Sequence, residues 1–326
     1  GDRSLSNRDF SRVIKPLNKF GVKIISKKNK LPLKVCGTEY LRPITYEEYK
    51  GSAQVKSCIM LAALNTPGIT KIKCKPSRNH TELLFKHLKL NINIKKKNSY
   101  DIIKIKGGKQ YKGFNYIIPG DISSASFFIV LTLLSKNSKL VIKNINVNET
   151  RTGIIDILKK MNGKIFLKNK RNYKGEIIAD ILVESSNNLK AINCPSKLNS
   201  STIDEFLVIF LVAAKAKGIS YFKDMSELNQ KESPRLNWGS KILNMMGIKT
   251  KLTKSSIKIY GNPNLEITKP IIIKDYLKDH RIFMMSTIAA LTLGGQWKIH
   301  DKDSINTSFP SFLKIIKKIN NKSLWS

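Results

Sequence analysis

One unit of pattern recurs along this chain, and a recurring unit constrains architecture more than any single motif can. Four segments open on small or acidic polar residues at a helix start, run through an apolar helix and turn into a β-branched strand. The openings are Ser52-Ala53-Gln54, Ser123-Ser124-Ala125, Ile203-Asp204-Glu205 and Asp279-His280-Arg281. The helices stop near Leu64-Asn65, Leu134-Ser135, Ala216-Lys217-Gly218 and Leu293-Gly294-Gly295, where Gly or Asn gives a C-cap signal in most cases. Strands are expected over 69–74, 140–145, 219–223 and 296–299. A polar loop then enters a second, amphipathic helix: Ser77-Arg78-Asn79-His80, Asn148-Glu149-Thr150-Arg151, Lys231-Glu232-Ser233-Pro234-Arg235 and Thr307-Ser308-Phe309-Pro310. After the first three of these, two strands close the unit, as over 164–168 and 180–184. The unit reads helix, strand, helix, strand, strand.

Residues 1–36 match only its second half, with a polar loop Asp2-Arg3-Ser4, a helix through Leu17 and Phe20, and strands near 22–25 and 33–35. The last helix, through Phe312 and Ile316, is followed only by Asn320-Asn321-Lys322. This pattern predicts a chain that starts in mid-unit and draws the closing strands of its last unit from elsewhere, most simply from an absent N-terminal segment. Pro119-Gly120-Asp121 interrupts the repeat, so a boundary is expected there. Residues 1–117 then form the remainder of a first lobe, one and a half units, and 118–326 a second lobe of three units without closing strands. Two similar lobes are expected to face each other across a cleft.

Composition bears on partners. With 41% hydrophobic residues in 326 there is ample material for packed cores, and disorder is not expected. The longest apolar stretches, 126–134 and 206–214, fall short of the ~20 residues that span a bilayer and read as buried helices. No membrane association is expected. The net charge of +36 makes nucleic acid the first partner to weigh. Yet the lysines run through the whole chain alongside Ile and Asn, residues that share A/T-rich codons. Aromatics do not interleave with the basic runs, and no helix-turn-helix, RNP or zinc-finger pattern occurs. The excess Lys therefore reads as solvated surface that favours anionic ligands, and no nucleic-acid partner is expected. Cys36, Cys58, Cys74 and Cys194 form no C-x-x-C pair and no zinc spacing with His, so reduced thiols, a cytoplasmic location and no metal site are expected.

The repeat concentrates polar residues at helix N-termini, where free N–H groups and the positive end of the dipole attract anions. Taken singly, Ser, Asp and Thr at such points are best read as N-caps, and Ser123 and Thr150 are assigned that role. Elsewhere cations accumulate at the same points: Arg8, Arg78, Lys231, Arg235 and Arg281. Arg forks suit carboxylates and phosphates, whereas a solvated surface would be served by the Lys this chain uses freely.

These residues resemble a known family. G-D-R-S-L-S-N-R from Gly1 to Arg8, S-A-Q-V-K from Ser52 to Lys56, N-E-T-R from Asn148 to Arg151, K-E-S-P-R from Lys231 to Arg235, D-H-R from Asp279 to Arg281 and T-S-F-P from Thr307 to Pro310 together look like EPSP synthases of the class II, largely bacterial, branch. Each motif alone is weak, but all occur in register over essentially the whole chain. The resemblance implies an α/β fold, the two-lobed enolpyruvyl transferase fold of repeated βαβαββ-type units, here N-terminally truncated. It implies transfer of the enolpyruvyl group of phosphoenolpyruvate to the 5-hydroxyl of shikimate 3-phosphate by addition and elimination, with no cofactor, in a monomer. Ser52, Ala53, Gln54 and Arg78 would hold shikimate 3-phosphate, with Gln54 also reaching phosphoenolpyruvate and Ser77 joining the phosphate site. Arg8, Arg235 and Arg281 would clamp phosphoenolpyruvate, and Lys231 would contact both substrates. Asp204 would take the hydroxyl proton and Glu232 would serve as acid toward carbon and then as base. Taken without the resemblance, Asp204 reads as a cap and Glu232 as the partner of a Lys one turn away. His280 is either an orienting group or a proton carrier.

Some features depart from the family pattern. The usual R-P-M-x-R reads Arg8-Asp9-Phe10-Ser11-Arg12, and K-E-S-D-R carries Pro234, a residue tolerated near a first helical turn. The family's P-G-D-K-S segment is not in this chain, so little activity is expected of it alone. The UDP-N-acetylglucosamine enolpyruvyl transferases share the fold and the phosphoenolpyruvate chemistry, but they lack the D-H-R and S-A-Q-x-K patterns.

Overall fold

A computed structural model of the chain describes residues 3–6, 8–108 and 111–319. Gly1, Asp2, Asn7 and Asn320-Asn321-Lys322, which enter the sequence argument, lie outside them. Two compact units emerge: 1–118 with 172–176, and 119–171 with 177–326. The division falls one residue beyond the expected boundary. It also assigns 172–176 to the first unit, where the sequence reading had kept them in the second.

In the first unit the chain runs α1 (Arg3–Ser6), α2 (Ser11–Phe20), β1 (Lys23–Lys27), β2 (Lys30–Cys36), β3 (Thr45–Glu48), α3 (Ala53–Leu64), β4 (Gly68–Cys74), α4 (His80–His87), β5 (Ile92–Lys96) and β6 (Asp101–Gly107). β1 and β2 form an antiparallel hairpin, and the four-stranded sheet has the order β3-β4-β6-β5. Its β3–β4 pair is parallel and is bridged by α3; the other pairs are antiparallel. β4 alternates, turning Thr70, Ile72 and Cys74 inward, as a strand with one buried face must. Ile59, Met60 and Ala63 of α3 close on Ile72, Ile103 and Ile105, and Phe20 of α2 joins this core.

In the second unit come α5 (Ile122–Leu134), β7 (Lys139–Asn146), α6 (Gly153–Lys160), β8 (Lys164–Tyr173), β9 (Glu176–Glu184), α7 (Asn199–Thr202), α8 (Phe206–Lys215), β10 (Gly218–Phe222), α9 (Arg235–Met245), β11 (Thr250–Leu252), β12 (Ile257–Gly261), β13 (Ile271–Ile273), α10 (His280–Leu293), β14 (Trp297–Ile299) and α11 (Phe312–Ile319). The sheets have the orders β7-β9-β8, β10-β12-β11 and β13-β14. β9, rich in Ile, Ala and Val, is central, while β8 ends its sheet and carries Lys164, Lys168 and Lys170, charges that discourage further pairing at an edge. Helices α5, α8 and α10 are apolar on nearly all sides and pack against one another at the centre, the behaviour expected of a helix without a polar face. The outer helices α6 and α11 are amphipathic, burying Ile154, Ile157 and Leu158 in one and Phe312 and Ile316 in the other.

The structure adds to the repeat a strand that the pattern did not reveal. Before each of α3, α5, α8 and α10 the backbone pairs in parallel with the strand that follows the helix: β3 with β4, Gly120 with Ile145, Asn193 with Tyr221, and β13 with β14. Two of these leading segments pair only through isolated bridges, one at Gly120 and two at Lys190 and Asn193, too sparse to show a period in the sequence. The repeat also fixes a glycine. A Cβ on Gly107 would lie 1.9 Å from the Ala63 carbonyl oxygen, and one on Gly261 would lie 2.1 Å from that of Ala216. In both repeats the last strand touches the C-terminal end of the first helix so closely that only Gly fits.

Candidate active site

Helix N-termini assemble the polar residues in both units. In the first, Ser52 caps α3, its Oγ accepting from the Val55 N–H at 3.3 Å. Ala53 and Gln54 are thereby the first residues of the helix. Lys56, one turn in and 1% exposed, pairs with buried Glu82 at 2.5 Å and donates from Nζ to the Arg78 carbonyl at 2.9 Å. The loop carrying Ser77 and Arg78 is therefore tied to the α3 start by its backbone, which leaves the Arg78 fork uninvolved in that bond. The Ser77 hydroxyl oxygen is buried without a protein partner among the described residues, and an uncompensated hydroxyl of this kind is costly unless something supplies its hydrogen bond. Exposed Arg12 donates to Gln54 Oε1 at 3.5 Å. Arg8 is exposed ahead of α2.

The second unit brings Asp204, Lys231, Glu232, Arg235, His280 and Arg281 together. Asp279 organises them. It caps α10, its Oδ1 accepting from the Arg281 N–H at 2.9 Å. With no exposed surface, it also receives Arg235 Nε and Nη2 at 2.8 and 3.1 Å and the Ser233 hydroxyl at 2.8 Å. Burial alone would raise the Asp279 carboxyl, but the Arg235 guanidinium and these hydrogen bonds hold it below the usual range. Around that pair, Arg235 Nη1 lies 3.7 Å from Asp204 Oδ1 and Nη2 lies 3.5 Å from Glu232 Oε2. Lys231 Nζ is also 3.7 Å from Asp204 Oδ1, and His280 Nδ1 is 3.0 Å from Glu232 Oε2. Arg281 Nη1 donates to the Asp204 carbonyl at 2.8 Å.

Several sequence assignments change here. The Arg235 fork faces Asp279 and the side chain is almost wholly buried, so its planar bidentate face is taken by a protein carboxylate and only Nη1 remains turned toward Asp204. Glu232 meets Arg235 and His280 in place of the Lys expected one turn away. Ser123 is no cap: Asp121 caps α5, its Oδ2 accepting from the Ser124 N–H at 3.0 Å, and Ser123 is buried inside the helix. Thr150 is no cap either, since Thr152 holds that position of α6 and Thr150 Oγ1 donates to Asn148 Oδ1 at 2.7 Å. Lys56, Asp279 and Arg12 were not singled out from sequence. For the first two, the signal was present in the S-A-Q-V-K and D-H-R runs, but their burial was not.

Glu232, Asp279 and His280 place ligand-capable atoms within 4.8 Å of one another. Asp279 is already matched by a guanidinium set among them, and a cation at that point would be repelled.

The family profile of EPSP synthase (3-phosphoshikimate 1-carboxyvinyltransferase) matches residues 1–316. The chain belongs to the EPSP synthase family. It is 41% identical over 320 residues to the 3-phosphoshikimate 1-carboxyvinyltransferase of Ruthia magnifica subsp. Calyptogena magnifica, covering 98% of this chain and 72% of that relative. Identity to the enzyme of the same name from Thermoanaerobacter sp. (strain X514) is 42% over 318 residues, covering 96% and 72%. A solved EPSP synthase from Acinetobacter baumannii superposes with a TM-score of 0.85 at 35% identity, over 98% of this chain and 72% of that one. The enolpyruvyl transferase NikO from Streptomyces tendae, at 14% identity and a TM-score of 0.75 over 96% and 72%, shares the fold. As in other EPSP synthases, the fold is α/β. Among the described residues no helix is long and apolar enough to cross a membrane.

Proposed function

We propose that this chain transfers the enolpyruvyl group of phosphoenolpyruvate to the 5-hydroxyl of shikimate 3-phosphate, giving EPSP and phosphate, a step of chorismate and aromatic amino-acid biosynthesis. The single observation that carries the mechanistic reading is that one buried guanidinium, Arg235, lies within 4 Å of both the Asp204 and the Glu232 carboxylates. Two carboxylates spaced by a fixed cation can act as acceptor and donor of protons in one cycle. Asp204 takes the proton from the 5-hydroxyl as its oxygen bonds to the enol carbon. A proton from Glu232 goes to the methylene carbon. The tetrahedral intermediate then loses phosphate with its bonding electron pair, the leaving oxygen takes up the proton held by Asp204, and the methyl group returns a proton to Glu232, restoring the double bond.

His280, at 3.0 Å from Glu232, orients that carboxyl. Lys231 and Arg281 border Asp204 and supply positive charge where the phosphate and carboxylate of phosphoenolpyruvate bind, stabilising charge that grows in the transition state. Arg235 contributes through Nη1 and through its hold on Asp279. Ser52, Ala53, Gln54, Ser77 and Arg78 are assigned to shikimate 3-phosphate, and Arg8 to phosphoenolpyruvate. The Ser77 hydroxyl, lacking a protein partner among the described residues, is suited to a phosphate oxygen. The cysteines are all free, which supports the cytoplasm as the place of the reaction; the working unit is a monomer.

The test is phosphate release from phosphoenolpyruvate that requires shikimate 3-phosphate, measured on the chain alone and together with the stretch of the Ruthia magnifica relative that it does not cover. Release that depends on shikimate 3-phosphate and falls ~10²- to 10⁴-fold in Asp204→Ala, while shikimate 3-phosphate still binds, is expected. Release that ignores shikimate 3-phosphate, or an Asp204→Ala variant as active as its parent, would overturn the assignment.

A further inference from the structure

The residue beside Asp204 breaks the rule that governs the other repeat helices. Helices α3, α5 and α10 begin on Ser52, Asp121 and Asp279, each of which accepts from a backbone N–H of its own first turn. Helix α8 begins on Glu205, an acid at the cap position that makes no such bond. Its carboxyl turns inward, where it is 2% exposed, and leaves the helix end without the side-chain cap that an acid there could have provided. What it gains is a line of partners. Ser123 of α5 donates to Glu205 Oε1, and Arg151 Nη2 donates to the Ser123 oxygen at 2.6 Å while pairing with Asp121 at 2.8 Å. The direction of this line is fixed. Arg only donates, so Ser123 must accept from it and direct its single proton to Glu205.

Asp204 precedes Glu205 in the chain, and the charges of Asp204 and Arg281 both act on it. Arg281 in turn holds the Asp204 carbonyl. Burial raises the Glu205 carboxyl above its ordinary range; Asp204 adds to that, while Arg281, Ser123 and Arg151 oppose it. A folded-state value above the unfolded one means that Glu205 favours the fold at low pH and that this contribution is lost as pH rises through the folded value. A buried acid that forgoes a cap and disfavours the fold when ionised has a cost that packing does not explain.

We propose that Glu205, anchored by Ser123 and Arg151, is a positioning residue for the reaction: it fixes the turn that presents Asp204, whose carbonyl receives Arg281. The inference rests on the enolpyruvyl transfer proposed above.

The test uses Glu205→Gln, which keeps the shape and the acceptor for Ser123 but removes the charge, with Glu205→Asp and Ser123→Thr as conservative controls. In Glu205→Gln, kcat falls ~10- to 100-fold, as expected of a misplaced reacting group, the kcat profile loses the inflection that Glu205 ionisation gives the parent above the ordinary carboxyl range, and the urea midpoint is unchanged or higher. Ser123→Thr, which restores the hydroxyl, keeps most of the turnover. A structural role alone would lower the midpoint together with activity and leave the pH profile unchanged, which would overturn the proposal. A second measurement needs no turnover: ¹³C NMR titration of Asp204 in the chain and in Glu205→Gln. An Asp204 signal that shows no second inflection from Glu205 ionisation in the parent, or that keeps one in Glu205→Gln, overturns the positioning role even if the parent releases no phosphate, whereas absence of release with that inflection present counts against the proposed function alone.

Discussion

Each unit sets a buried ion pair behind its polar residues, and the two pairs differ in what the cation holds. In the first unit Lys56 meets Glu82, and its remaining contact is the Arg78 backbone carbonyl. One oxygen of that pair, Glu82 Oε2, is buried without a partner among the described residues. In the second, Arg235 meets Asp279 through two nitrogens, Asp279 is completed by Ser233 and the Arg281 N–H, and the rest of the guanidinium faces the Asp204 and Glu232 side chains. A lysine is a point charge and suffices to tether one loop; a fork is needed to space two carboxylates while satisfying a third. On the function proposed above, the first unit's pair would place a binding loop and the second unit's pair would serve the proton transfers.

Breaking the pairs should separate these roles. The largest effect is expected from Arg235→Met, which strands a fully buried Asp279: about 3–5 kcal/mol of stability is lost by denaturant titration, and turnover falls with it. Lys56→Met should cost less, near 3 kcal/mol at the lower end of that range, because Glu82 is incompletely satisfied already. It should weaken shikimate 3-phosphate binding by calorimetry. The double variant Lys56→Met with Glu82→Leu should recover most of the stability, and a double variant at Arg235 and Asp279 that recovered turnover as well would erase the distinction drawn here.

A smaller effect is expected from acid. Because the folded Asp279 carboxyl lies below its unfolded value, its contribution is present above about pH 3.9 and is lost as pH falls through the folded value. Unfolding midpoints measured from pH 5 to pH 2 should show this loss in the parent. Arg235→Met should not show it, since burial without a cation raises the Asp279 carboxyl instead. Smallest of all, Arg12→Gln removes an exposed 3.5 Å contact to Gln54 and should change stability by less than about 0.5 kcal/mol. Any loss should appear as weaker substrate binding.

The repeat is legible in the sequence because apolar period and turn residues are local properties that survive without neighbours. The strand at Lys139–Asn146 and the helices beginning at Ala53 and His280 lie within a residue or so of where the pattern predicts them. Polar runs at helix starts likewise marked Asp204, Lys231, Glu232 and Arg281 as candidates. Which way those groups face depends on contacts distant in sequence. Gly120 and Asn193 became parallel bridges because strands far along the chain closed on them. The Arg235 fork went to Asp279, 44 residues away, and Ser123 met Glu205 across 82 residues. A lone serine or acid carries the same local signal whether it caps its own helix or reaches into a core. The burial that chooses between these outcomes comes from α5, α8 and α10 packing together, and the water which that packing excludes makes each choice strongly favourable or costly.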